Sequence, residues 1–231
     1  MKKNFFDLFR ESLKDLFGKP LIVLPSAILG LILFGISQLG LILAPRFQTT
    51  ASNIAWTVFV GLASLFLASY VFSGMIGLAK KKVSWKEFSV NANGFWFRNF
   101  QILLLIVLFS FLIGRIAYYG AFFLGKTLDL EVGAALAVFL LIYFAGLIGI
   151  LIFLTFSSFF LVVDKLRPRG AIRRSIGFVK RNYLMTLALN IILFVVGYLA
   201  NKIPGLFGDA VIYVLVVPFF VLVLTKFVVR K

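Results

Sequence analysis

The sequence predicts an all-α integral membrane protein that crosses the bilayer six times, with three short amphipathic helices resting on the cytoplasmic face. Three observations carry this. The chain is 62% hydrophobic and 14% charged, with a mean hydropathy of +1.07, whereas a soluble domain carries about 25% charged residues. The apolar residues gather into six runs, each long enough for a hydrocarbon core that asks about 20 residues of a helix. The connections between runs are unequal in charge: 20 of the 24 Lys and Arg residues fall on one side.

Residues 4–17 (NFFDLFRESLKDLF) put Phe5, Phe9, Leu13 and Leu16 on one helical face, with Asp7, Arg10, Glu11 and Lys14 largely elsewhere. Pro20 turns the chain into a first span over about 21–44, and Pro45, Arg46 and a short polar run separate it from a second at 54–79. In the segment that follows, Ser84 and Glu87 have capping-box spacing. Trp85, Phe88 and Phe95 recur there as an interfacial aromatic face. The third span covers 100–124. The fourth, 132–163, would be about 48 Å long as one helix, so it must tilt or project.

The connection after it is the most basic stretch, with seven Lys and Arg residues between Asp164 and Arg181. Pro168 suits the first turn of a helix. Ile172, Ile176, Val179 and Tyr183 then fall on one face, and Arg169, Arg173 and Lys180 on the other. A basic helix with an apolar stripe, flanked by spans, should lie flat at the lipid–water boundary. The fifth and sixth spans follow at 183–200 and 210–229.

Lys19, Arg98 and Arg181 each stand where an amphipathic segment gives way to a span, at spacings of 79 and 83 residues. That spacing suggests three parallel repeats in one polytopic domain, at 1–79, 80–163 and 164–231, unlike the inverted repeats of many transporters. The plainer alternative is the rough periodicity that any six-span chain shows. With six spans, both termini share a side with the 2–3 and 4–5 connections. The other side holds only Arg46, Arg115, Lys126 and Lys202. The positive-inside rule makes the basic side cytoplasmic, so the chain is expected in the cytoplasmic membrane. The first apolar run is too long for the core of a cleavable signal, and none is expected.

The chain contains no cysteine and no histidine. Disulfides, thiol and imidazole catalysis and Cys/His metal sites are thereby excluded, and no metal or cofactor is expected. All eight acids fall at span boundaries or in connections, and no Gly-rich phosphate loop or serine-nucleophile motif is present. No catalytic residues are therefore expected, and the chain reads as a non-enzyme. A net charge of +16 could suit nucleic acid, but these charges lie between spans rather than on a soluble face, so no nucleic-acid partner is expected.

Three sets of residues invite a site. Arg169, Arg173, Arg174, Lys180 and Arg181 could hold anionic lipid headgroups, each charge contributing about 1 kcal/mol, or they could serve topology alone. Arg115 lies towards the far interface with Tyr118 and Tyr119. It either snorkels among belt aromatics or pairs with Asp129 or Glu131 to line an outward cavity. Gly146 and Gly149, with Ser157 and Ser158, would allow close helix approach in the fourth span, and Asn190 would bridge helices or touch a ligand.

The run SSFFLVVDKLRPRGAIRRSIGFVKRNYLMTLAL resembles the pattern of six-span bacterial and archaeal proteins grouped around the glycerophosphodiester phosphodiesterase membrane domain. The matching positions are Gly170, Ala171, Ile172, Ser175, Lys180 and Asn182, and FRESLKDLFGKPLIVLP and the Gly74–Gly77 span end look similar as well. The resemblance implies the six-span fold. In that family the phosphodiesterase is a separate soluble barrel, so the membrane region implies no activity; Asp164 stands as counterpart to an acid often found in the 4–5 connection.

The function expected is an accessory or lipid-interacting membrane component, with membrane lipids and other membrane subunits as partners. The alternative is a transporter or permease for a hydrophobic or lipid-like solute. With no native cysteine to interfere, a Cys placed at Lys202 should react with an impermeant maleimide on intact cells, and one at Lys165 only after the membrane is opened. The reverse pattern would overturn the topology.

Overall fold

The computed structural model describes residues 5–43, 49–80, 83–128 and 131–229. Among them every element is helical and no strand occurs, as a chain in hydrocarbon requires if each backbone N–H and C=O is to be satisfied within its own segment. The order is α1 (Phe5–Gly18), a 3₁₀ turn (Pro20–Ile22), α2 (Leu24–Leu43), α3 (Thr50–Lys80), α4 (Trp85–Thr127), α5 (Val132–Leu154), α6 (Ser157–Val163), α7 (Pro168–Arg181), α8 (Tyr183–Asn201), α9 (Gly205–Val211), a π turn (Ile212–Val216) and α10 (Val217–Val229). Six of these helical runs are long and apolar enough to cross a membrane.

Three boundaries differ from the sequence reading. The segment after Lys82 and the third span are one helix, α4, of 43 residues, about 64 Å at 1.5 Å per residue. Ser84 caps it, its hydroxyl accepting the N–H of Glu87 at 3.2 Å, and no proline interrupts it. The fourth span breaks at Thr155–Phe156 into α5 and the short α6. Here the Ser175 hydroxyl of α7 donates to the Phe153 carbonyl at 2.6 Å, the acceptor that a continued helix would offer to the Ser157 N–H. A side chain inserted in the backbone ladder is a recognised cause of a helix break. The sixth span begins earlier, at Gly205, and carries a π turn just before Pro218. The wider turn accommodates a proline that cannot donate to the carbonyl four residues back.

The core sits at one end of the bundle, where the basic connections are. It takes the last third of α3 (Ser69 and Ser73–Leu78), the start of α4, all of α6, and most of α10. Phe178 of α7 lies among Phe156, Phe160 and Phe227, with ring centroids 5.1–5.3 Å away. Towards the opposite end the spans expose large apolar side chains such as Leu31, Ile42, Phe59, Phe122 and Leu141, a surface suited to hydrocarbon.

Helix contacts rely on small residues. At Gly74 and Gly77 a Cβ would collide with Phe88 and Asn91, so these two glycines let the start of α4 lie directly on α3. Asn99, fully buried, donates across the same interface to the Ser69 carbonyl at 3.2 Å. Of the two glycines expected to serve close approach in the fourth span, only Gly146 does; its Cβ would stand 2.7 Å from Ile113, while Gly149 faces open space. Asn190 does not bridge helices through its amide, which donates to the Thr186 carbonyl one turn back at 2.8 Å.

The two glycines of α5 therefore make a paired test. Gly146→Ala should lower the melting temperature in detergent, with an overpacking cost of about 1–3 kcal/mol, while Gly149→Ala should leave it level or raise it. Equal effects would contradict the packing described.

Candidate functional site: a basic cleft beneath α7

The turn that launches α7 reverses the chain in four residues. Asp164 ends α6, and Lys165 adopts a left-handed backbone (φ 54°), a conformation that costs a non-glycine residue about 1–2 kcal/mol. Arg167 is extended and Pro168 opens the helix. The inward face of α7 is Ala171, Ser175 and Val179. Of the apolar stripe read from the sequence, Val179 is on this face, Ile172 and Ile176 are half-buried, and Tyr183 is exposed and belongs to α8. Small side chains win the inward positions because they let α7 approach the break in the fourth span closely enough for the Ser175 hydrogen bond.

The neighbouring face of α7 forms one wall of an open cleft of about 1080 Å³. Gly170, Arg173, Arg174, Gly177 and Arg181 line that wall, and Lys80 from the end of α3 faces it. Phe160, Phe178 and Val228 give the cleft an apolar floor. Asp164 is its one carboxylate among the described residues; it accepts from Arg174 Nε at 2.9 Å. The Arg174 guanidinium also lies over the Phe160 ring, 5.5 Å from its centroid. Lys80 Nζ donates to the Val163 carbonyl at the end of α6, a favourable place for a cation because helix carbonyls there lack intrahelical partners.

The five basic residues singled out in the sequence thus divide. Arg173, Arg174 and Arg181 come together in the cleft, while Arg169 and Lys180 are exposed elsewhere and do not line it. The motif residues divide too: Ala171 and Ser175 are buried against the core, and Gly170 and Asn182 border the cleft. Lys80 was not foreseen as a member. Its position at the end of a span whose basic side faces the 4–5 connection was the available signal.

Arg115 lies over its own-helix neighbour Phe111, 5.2 Å from the ring centroid. Tyr118 and Tyr119 are exposed beside it, their ring centroids 5.4 Å apart. None of the three lines the basic cleft or the apolar groove between α2 and the π turn; Glu131 is exposed, and Asp129 lies outside the described residues. The second cavity, about 310 Å³ and almost wholly apolar, lies between α2 and the π turn. Tyr213 packs there against Gly30, where a Cβ would stand 2.5 Å from its ring, and Asp209 is at the edge. Among the described residues no cluster of acids has the makings of a metal site.

A charged pin fastens α1 to the same end of the bundle. Lys226 of α10, 15% exposed at its side chain, meets Asp15 at 2.6 Å and donates to the Glu11 carbonyl at 2.8 Å. Lys19 reaches Asp15 as well, at 2.8 Å. Partial burial works to raise the Asp15 pKa, but hydrogen bonds and charges from Lys19 and Lys226 outweigh it, and the net shift is downward.

Comparison with known proteins brings no relative: no family model, curated protein or solved structure matches the chain.

A carboxylate held below its ordinary pKa stabilises the fold fully above about pH 4 and loses that contribution as pH falls through the lowered value. Melting followed from pH 6 downward should show this loss in the wild type and lack it in Asp15→Asn. Lys226→Met should cost about 1.5–3 kcal/mol at neutral pH, as removal of hydrogen bonds to a charged group does. A pH profile unchanged by Asp15→Asn would show the pin to be idle.

Proposed function

We propose that this chain is a non-catalytic component of the cytoplasmic membrane that retains anionic lipid at its inner face. One observation carries the reading: three arginines of α7 and a lysine from α3 converge over an apolar floor at the basic end of a bundle of membrane-spanning helices. Basic pockets between spans on the cytoplasmic side suit phospholipid headgroups, and each near-surface cation contributes about 1 kcal/mol. Three or four of them then correspond to an enrichment on the order of a hundredfold or more.

The orientation rests on the charge bias, which sets both termini and α7 on the inner side. In this reading α1 and α7 are interfacial helices. Support for α1 comes from its outward stripe: Phe6, Leu13 and Phe17 are exposed at helical spacing while Leu8 and Leu16 are buried, so the helix offers one edge to the core and another to acyl chains. Partner subunits of the membrane would meet the apolar outer faces of the spans.

A second reading, a permease for a hydrophobic or lipid-like solute, draws on the apolar groove between α2 and the π turn, since π turns are frequent at functional sites. Solute-dependent thermal stabilisation abolished by Gly30→Leu would favour it.

The lipid reading is tested by two double variants of equal charge change. Arg173→Gln with Arg181→Gln should strip co-purified anionic lipid, while Arg169→Gln with Lys180→Gln, outside the cleft, should leave most of it. Equal losses, or none, would reduce these residues to topology determinants.

A further inference from the structure

The cleft's four cations are not equivalent, and the difference says what kind of headgroup fits. Arg174 is committed to Asp164 and to the Phe160 ring. Lys80 is committed to the Val163 carbonyl. Arg173 and Arg181 form no ion pair among the described residues, and both are exposed on the cleft wall. They stand eight residues apart on α7, about 12 Å along the helix axis, and Gly177 lies midway between them at the i+4 position, on the same stripe.

Gly177 has no local structural reason to be glycine. It is in mid-helix with no positive φ, and a Cβ added there would meet nothing within 4 Å. Relative to alanine, a mid-helix glycine costs about 1 kcal/mol. Gly170, seven residues earlier on the same wall, would meet only the Leu166 Cβ, at 3.8 Å. Between two uncommitted guanidiniums, the helix surface is therefore kept bare over the length of a small bridging group. The cleft is also large, about 1080 Å³, at the upper end of pockets that enclose a whole drug-sized ligand.

We infer that the cleft takes an anionic lipid bearing two phosphate groups joined by a short bridge, one phosphate at Arg173 and the other at Arg181, with the bridge lying over Gly177. This rests on the lipid-retention reading and narrows it to a lipid class. The arginine forks bind phosphate through paired N–H donors, and anchor points about 12 Å apart along the helix suit two acceptors better than one. Four cations against one carboxylate leave an excess of positive charge that two phosphates offset further than one. Phe160, Phe178 and Val228 would receive the upper segments of the acyl chains.

The test compares nanodiscs of phosphatidylcholine doped with diphosphatidylglycerol or with phosphatidylglycerol at equal total phosphate, and reads lipid retention by native mass spectrometry. The wild type should retain the two-phosphate lipid roughly tenfold better per phosphate. Arg173→Gln and Arg181→Gln should each remove that preference. Gly177→Leu should also remove it while the lipid-free melting temperature stays level or rises, since the Cβ position is open and leucine favours helix. Gly177→Ala provides the same readout should leucine disturb folding.

Equal retention per phosphate would overturn the inference and leave the lipid-retention reading standing. Retention of neither lipid would overturn both. Inorganic pyrophosphate displacing the two-phosphate lipid at comparable concentration would overturn the lipid assignment in favour of a soluble diphosphate.

Discussion

The hydrogen bond from the Ser175 hydroxyl to the Phe153 carbonyl joins the two features that define this molecule. It occupies the acceptor that an unbroken fourth span would use, and it seats the basic helix against the break. α6 departs from there as a short, wholly buried segment, and its last residues supply the Lys80 acceptor and the Arg174 partner. Were α7 held only at the lipid boundary, its arginines would face water on all sides. Docked as it is, Arg173, Arg174 and Arg181 border a cleft with walls.

The concentration of packing at that end has a physical cause. In hydrocarbon the lipid chains are as apolar as leucine, so burying aliphatic surface between helices brings little gain. Helices there associate through close backbone approach, polar side chains and well-fitted rings. Gly74 and Gly77 under α4, Asn99 on the Ser69 carbonyl and the Phe156–Phe160–Phe178–Phe227 cluster are contacts of those kinds, and all lie in the basic half. The other half presents leucine, isoleucine and phenylalanine outward. Charges act at the rim of that basic half, where Lys226 ties α10 to α1 and Lys80 ties α3 to α6. Four buried side-chain oxygens, on Asn99, Ser157, Thr186 and Thr225, have no hydrogen-bond partner among the described residues; nothing in the packing accounts for them.

How far the sequence could be read depended on the range of the interaction concerned. The number of spans, the Ser84 cap and the proline start of α7 follow from composition and from neighbours within four residues, and each agrees with the structure. The core-facing side of α7 was not legible, because hydrophobic periodicity weighs Ile172 and Ile176 heavily and Ala171 and Ser175 lightly, whereas close packing favours the smaller pair. The core-facing side of α1 was hidden for a similar reason: Leu8, Ser12 and Leu16 are buried and Leu13 is exposed.

By itself, then, the sequence determined that the protein is all-helical, with six helices long and apolar enough to cross a membrane, because solvation by lipid acts on each segment separately and is written in composition. Only the tertiary structure decided where the fourth span breaks, which arginines share a cleft, and that Lys80, distant by more than 80 residues from Asp164, completes it. Those outcomes depend on which helix backbones come close enough to exchange a hydrogen bond, a property of pairs of helices rather than of any one of them.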